Sequence, residues 1–154
     1  MSSQPRQPGI VISVSDLINE AERLKQYIDS LQKALSDVNE SINAIEDAKK
    51  LLNQLQQSPQ GEIFTTADRR GYLLLKLQGV NASKVLIHLG SKYYVEVDPS
   101  AGIQVLQRQE DQLKDLSTSI QQELAKQLQV YNQIVDLLNQ IQAKAAESAT
   151  QKGG

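Results

Sequence analysis

The 154-residue sequence contains no cysteine and no tryptophan, and only 4 % of its residues are aromatic. Without cysteine there is no disulfide, no thiolate metal site and no cysteine nucleophile, which suits a reducing compartment, and we expect a cytoplasmic protein. A compact globule fills its centre with large rings, so this scarcity predicts a thin or elongated core. Apolar runs are short, Leu73 to Leu75 being among the longest, so neither a membrane span nor a signal peptide is predicted.

Charge and motifs also argue against several classes of function. Sixteen basic and 18 acidic residues give a net charge of −2, and no dense block of Lys and Arg provides the footprint of a nucleic-acid or membrane partner. No glycine-rich phosphate-binding motif occurs in the chain. His88 is the only histidine and has no second histidine or cysteine to complete a zinc site, so we interpret it as a polar residue on a sheet face. The sequence therefore predicts no enzyme, no cofactor and no metal.

Glycine and proline are absent from two stretches of about 50 residues, 10–58 and 103–152, which predicts two long uninterrupted helices. The first carries apolar residues in an alternating three-four spacing that is typical of a coiled coil. The spacing slips by three residues where Lys49 replaces an apolar residue. The positions in this repeat are Val14, Leu17, Ala21, Leu24, Ile28, Leu31, Leu35, Val38, Ile42 and Ile45, and after the slip Ala48, Leu52 and Leu55.

The second stretch begins with Asp98-Pro99, a side-chain acceptor followed by the helical position that tolerates proline. Its heptad is interrupted by polar residues at 110, 117 and 127, which we expect to weaken it. The apolar positions are Leu106, Leu113, Ile120, Ile134 and Ile141 on one side of the repeat and Ile103, Leu124, Tyr131, Leu138 and Ala145 on the other.

About 40 residues between the helices follow a period of two, which predicts short β-strands. Within the runs 72–77, 84–89 and 93–97 the odd-numbered positions are apolar, and residues 62–66 form a weaker additional strand. The even positions are not cleanly polar, since they include Tyr72, Leu74, Leu86 and Tyr94. A small sheet that is apolar on both faces needs cover on both sides, so we expect neighbouring subunits to contribute.

The predicted fold is therefore α+β, a single domain in which two long helices form an antiparallel coiled coil and are joined by about four short strands in two β-hairpins. The expected boundaries are a flexible N-terminus at 1–12, helices at 13–58 and 99–147, hairpins at 62–98 and a flexible tail at 148–154. In this arrangement both chain termini lie at the ends of the helices far from the sheet, which we call the tip.

The order of these elements, with the segment from Val85 to Gly90 running into Tyr93-Tyr94-Val95-Glu96 and an acidic residue before the second helix, resembles prefoldin of the alpha type. The sequence departs from the family pattern at Ser91-Lys92, where a second glycine is usual. It departs again at residues 66–70, which lack the usual turn rich in proline and glycine. The resemblance implies a hexamer with beta subunits (alpha2 beta4) whose hairpins assemble into inter-subunit β-barrels. It also implies an ATP-independent chaperone that captures unfolded proteins at its tips and delivers them to a group II chaperonin.

Two groups of residues are candidates for these contacts. The helix ends are more apolar than one coiled-coil seam requires, which predicts a client-binding surface. The candidate tip residues are Ile10, Val11, Ile12, Val14, Leu17, Ile18, Ile134, Val135, Leu138 and Ile141, and the candidate subunit-interface residues are Tyr72, Leu74, Leu86 and Tyr94. Ordinary seam packing also explains the first group. A coiled-coil scaffold or adaptor that docks a fixed partner is the alternative function, and a nucleic-acid-binding arm is disfavoured by the acidic composition.

Overall fold

A computed structural model describes residues 12–57, 62–66, 68, 70–78 and 83–151 of the chain. The predicted fold class is confirmed, since two long helices enclose four strands in the sequence and the strands form two antiparallel hairpins. The elements in chain order are α1 (Val14–Gln57), β1 (Ile63–Thr66), β2 (Leu74–Leu77), β3 (Val85–Gly90), β4 (Tyr93–Val97) and α2 (Pro99–Gln151).

Side-chain acceptors begin both helices. Ser13 Oγ accepts a hydrogen bond from the Asp16 amide at 3.1 Å and so caps the start of α1. Asp98 Oδ1 accepts from the Ala101 amide at 2.8 Å in the same way. α2 continues to Gln151, four residues beyond the expected end at 147, because neither glycine nor proline interrupts the sequence there.

The chain divides into two compact units, of which one comprises residues 36–118. In this unit the helices run antiparallel. As the residue number on α1 decreases, the number of the residue that it contacts on α2 increases. Gln56 donates to Ser100, Lys49 to Glu110, and Ser117 to Asn39. β1 pairs with β2 from Ile63 opposite Leu77 to Thr66 opposite Leu74, and β3 pairs with β4 from Val85 opposite Val97.

The core of this unit lies where the helices meet the hairpins. Leu52, Leu55, Ile87 and Leu106 are buried together, so α1, β3 and α2 each contribute to one cluster. The helix must pass close to the strand at Gly102, where a Cβ atom would lie 3.3 Å from Ile87 Cδ1. A larger residue there would meet the strand side chains directly.

The two departures from the family pattern are both turns. Ser91 takes the left-handed conformation, with φ of 51°, that glycine normally supplies. In the other turn the Asp68 side chain takes the role of the usual proline and glycine. Its carboxylate holds the turn by accepting backbone hydrogen bonds from Leu73, Arg70 and Tyr72. These hydrogen bonds, that of Leu73 first, hold the pKa of Asp68 below its usual value.

The other compact unit contains residues 12–35 of α1 and 119–151 of α2. Leu17, Leu24 and Ile28 are buried at the predicted spacing, with more exposed residues between them. On α2 the heptad positions from Ile120 to Ile141 are partly buried, whereas Ala145 is exposed. The predicted repeat therefore identifies the packed side of each helix, but the packing ends before Ala145.

Candidate functional site

Both hairpins expose apolar side chains. The four candidate interface residues are all exposed, Tyr72 to 83 % and Leu74 to 58 % of their surface. β2 is exposed along its whole length, so the odd positions Leu75 and Leu77 are exposed as well as the even position Leu74. Several neighbouring apolar residues are also exposed, although the alternating pattern did not include them among the interface candidates. They are Phe64, Leu73, Leu89 and Tyr93.

Two of the candidate interface residues line one depression. Leu86 and Tyr94 lie beside a cavity of about 490 Å³ between α1 and the β3–β4 hairpin, which Ala44 and Leu51 line from the helix. Leu86 and Tyr94, with His88 beside them, therefore form an open and largely apolar surface next to a helix. A surface of this kind is typical of a subunit contact.

The candidate tip residues differ in exposure. Ile10 and Val11 lie outside the described residues. Ile12, Val14 and Ile18 are exposed, Ile18 to 54 %, whereas Leu17 is buried and belongs to the seam. On α2 the candidates Ile134, Val135, Leu138 and Ile141 are all partly buried. The structure places both segments in the same compact unit.

α2 also exposes apolar side chains that the predicted set leaves out. Leu128, Val130 and Leu137 are exposed, Leu137 to 44 %. They occupy positions that flank the seam on either side, so residues 128–141 present an apolar face broader than one partner helix covers. The heptad spacing contained the signal, because the residues directly beside the seam positions are apolar as well.

The polar interruptions of the α2 heptad have partners. Glu110 is only 2 % exposed and accepts a hydrogen bond from Lys49 Nζ at 2.7 Å. Lys114 Nζ lies 3.0 Å from the other carboxylate oxygen of Glu110. The Gln107 side chain also accepts a hydrogen bond from Lys49. Ser117 is buried, and its hydroxyl donates to Asn39. The hydrogen bonds from Lys49 and then Lys114 lower the pKa of Glu110 to about 2. The expectation that these residues weaken the helix pair therefore overlooked their partners. A polar residue that interrupts an apolar repeat can still bind a polar side chain on the opposite helix.

The described residues contain no group of three or more histidine, aspartate or glutamate side chains that could hold a metal ion. His88 lies on β3 with its ring centroid 5.0 Å from that of Tyr94, and its Nε2 is 3.0 Å from the Ser91 carbonyl oxygen. Its interpretation as a polar residue on a sheet face agrees with these contacts. Neither helix, over its described length, is apolar enough to cross a membrane.

Two long helices joined by two β-hairpins define a class of coiled-coil subunits in which the hairpins connect the helices. One solved structure with this fold is the cryo-electron microscopy structure of filamentous PFD from Methanocaldococcus jannaschii. The match has a TM-score of 0.59 and covers 79 % of this chain and 98 % of that chain, at 17 % sequence identity. This similarity establishes the fold.

Sequence comparison identifies the family. The family described as Prefoldin subunit matches residues 24–144. The chain is 38 % identical to a prefoldin subunit alpha of Sulfurisphaera tokodaii over the full length of both chains. It is 44 % identical to a prefoldin subunit alpha of Saccharolobus islandicus over 88 % of this chain and 91 % of that one. The chain belongs to the prefoldin subunit family, and the resemblance to the alpha type is confirmed.

Family membership gives the coarse function. The chain is a prefoldin-type chaperone subunit, a role in protein folding rather than in catalysis, and it assembles with other prefoldin subunits. The surfaces described above are the candidates for the contacts that this role requires.

Proposed function

We propose that the chain captures unfolded proteins at the ends of its helices, without ATP, as the alpha subunit of an alpha2 beta4 complex in the cytoplasm. The observation that carries this proposal is the exposed aliphatic surface of residues 12–18 together with residues 128–141. Ile12, Ile18 and Leu137 are each more than two-fifths exposed, although they are large and apolar.

The chemistry of this surface suits weak binding to many sequences. Aliphatic side chains bind apolar segments without directional hydrogen bonds, so the contact does not depend on a particular client sequence. α2 is rich in glutamine, with 11 between Gln104 and Gln142, and Asp136 is the single charged residue between 128 and 141, so little charge would select clients there. Several subunits that hold one client would raise the combined affinity through effective concentration.

The hairpins would supply the assembly contacts. The exposed Tyr72 and Leu74 on one side and Leu86 and Tyr94 on the other would be buried against the beta subunits, with the strands completing inter-subunit β-barrels. Two-stranded hairpins are marginal alone, and additional strands would complete the hydrogen bonding at their edges. Transfer of the client to a group II chaperonin is the remaining step of the proposal, which follows from the family resemblance.

The test is aggregation of a denatured protein in the presence of the assembled complex, measured by light scattering without nucleotide. The variant Ile12→Ser/Ile18→Ser/Leu137→Ser removes exposed apolar surface without opening the core, so the complex should assemble normally. We expect its protection to fall several-fold. Addition of ATP should change neither the wild type nor the variant, because the sequence contains no phosphate-binding motif.

The matched control is Asn19→Ser/Gln133→Ser, which changes two exposed polar residues, one directly after the first segment and one within the second. It should protect as well as the wild type. If the triple variant assembles and protects as well as the control, the helix ends do not bind clients. Absence of protection by the wild type itself would instead favour a scaffold that holds a fixed partner.

A further inference from the structure

A buried ion pair joins α1 and α2 close to the core cluster. Glu110 occupies a seam position of α2 and is 2 % exposed, and Lys49 is the residue at which the α1 heptad slips. Lys49 Nζ donates to Glu110 Oε2 at 2.7 Å, and the Lys49 side chain itself is only 20 % exposed. Lys114 reaches the same carboxylate from within α2. Of the two cations at this carboxylate, only Lys49 therefore links one helix to the other.

The apolar repeats alone do not define how the helices align. Before the slip at Lys49 the α1 seam repeats every seven residues, as the α2 seam does. Over residues 14–45 a slide of one heptad, about 10.5 Å along the axis, would therefore bring apolar positions opposite apolar positions again. The residues seven positions from Lys49 on α1 are Ile42 and Gln56, and neither carries a positive charge. In either shifted alignment Glu110 would lose its cation from α1. Lys114, whose side chain is 55 % exposed, would then be the remaining cation at this buried carboxylate, and the loss of its more buried partner is disfavoured.

We propose that the Lys49–Glu110 pair sets the register of α1 against α2 and that this is the reason for a buried charged pair in a mostly apolar seam. The pair contributes little net stability, because the cost of removing two charges from water offsets most of their attraction. The pair discriminates between alignments of the two helices because only the native alignment brings Lys49 to Glu110. Lys49 and Glu110 are thus positioning residues that determine which residues of the two helices meet.

Disulfide trapping in the full chain reads the register directly, because the natural sequence has no cysteine to interfere. Asn39→Cys/Ser117→Cys reports the native register, since these side chains lie 3.5 Å apart. Asn39→Cys/Leu124→Cys and Gln32→Cys/Ser117→Cys report a slide of one heptad in each direction. A displacement of about 10.5 Å exceeds the reach of a disulfide, so each reporter is specific for its register.

Each reporter is placed in the wild-type background and in Lys49→Leu/Glu110→Leu, in which an apolar pair replaces the charges. We expect the double variant to keep its helix content and its thermal midpoint, or to raise the latter. Its cross-linking in at least one shifted register should increase on the order of tenfold over the wild type, because the penalty against misalignment is gone.

The matched control is Lys114→Leu. Lys114 accompanies Glu110 on the same helix in every register, so its loss should leave the shifted cross-links at background. Lys49→Arg keeps a cation on α1 and should preserve the native register. Native cross-linking alone in the double leucine variant would overturn the proposal. Loss of helix content in that variant would overturn it as well, because the pair would then supply stability rather than alignment.

Discussion

Ser91 is the one described residue other than glycine with a positive φ, and it lies next to Gly90 in the tight turn between β3 and β4. A side chain in the left-handed region approaches the following carbonyl group, and glycine avoids this contact. Ser91→Gly should therefore stabilise the chain by about 0.5–1 kcal/mol, since relief of strain exceeds the added freedom of the unfolded chain. Denaturant unfolding measures the change. Lys92→Gly is the control, and it should destabilise the chain because its backbone needs no glycine.

Glu110 makes the free energy of unfolding of the chain depend on pH in the acidic range. Its pKa of about 2 lies below the ordinary value of 4.5, so its contribution to folding is complete above pH 4.5 and is lost as the pH falls towards 2. The difference in unfolding free energy between the wild type and Glu110→Gln should thus be largest near neutral pH and shrink across this range. Urea unfolding at several pH values measures it. Glu20→Gln removes an exposed pair with Arg23 and should show only a small difference throughout, and equal curves for both variants would contradict the prediction.

At the scale of elements, the approach of α2 to the β3–β4 hairpin depends on Gly102. A side chain there would meet Ile87 and Val85, whose nearest atoms would lie 3.3 Å from its Cβ atom. Gly102→Leu should destabilise the chain by about 1–3 kcal/mol through overpacking. Thermal unfolding measures the shift. Gln104→Leu, two residues further along the same helix and exposed, should change the midpoint little, and a similar loss in both variants would mean that the helix is not closely packed at Gly102.

The helices and strands could be predicted from sequence because their signals are local. The absence of glycine and proline marks the helices, and the three-four spacing identifies Leu17, Leu24 and Ile28 as packed residues. The partner of Glu110 could not be predicted, because it depends on how two distant segments align. Alternation likewise groups Leu75 and Leu77 on one face of β2, with Leu73 directly before the strand. It does not tell whether anything in the same chain covers that face, and all three residues are exposed.

At the scale of the whole molecule, assembly should depend on the exposed hairpin surface. Leu74→Asp places a charge in the proposed contact with neighbouring subunits, where burial without a partner costs several kcal/mol. The variant should release free subunits when mixed with the partner subunits, whereas its own helix content should be unchanged because Leu74 is exposed in the single chain. Light scattering coupled to size exclusion measures the complex. Lys84→Asp, a change at an exposed polar residue before β3, serves as the control, and full assembly of Leu74→Asp would refute this interface.

The exposed β2 strand also bears on how much of this chain a cell can hold without its partners. Leu73, Leu74, Leu75 and Leu77 form a short apolar segment in a hairpin of only two strands, which is the type of segment that aggregates or attracts quality-control factors. An unassembled subunit thus presents the same kind of surface that a chaperone recognises in other proteins. We expect that synthesis of this chain in excess over its partners leads to its precipitation or degradation, so that balanced subunit production is itself a requirement of the fold.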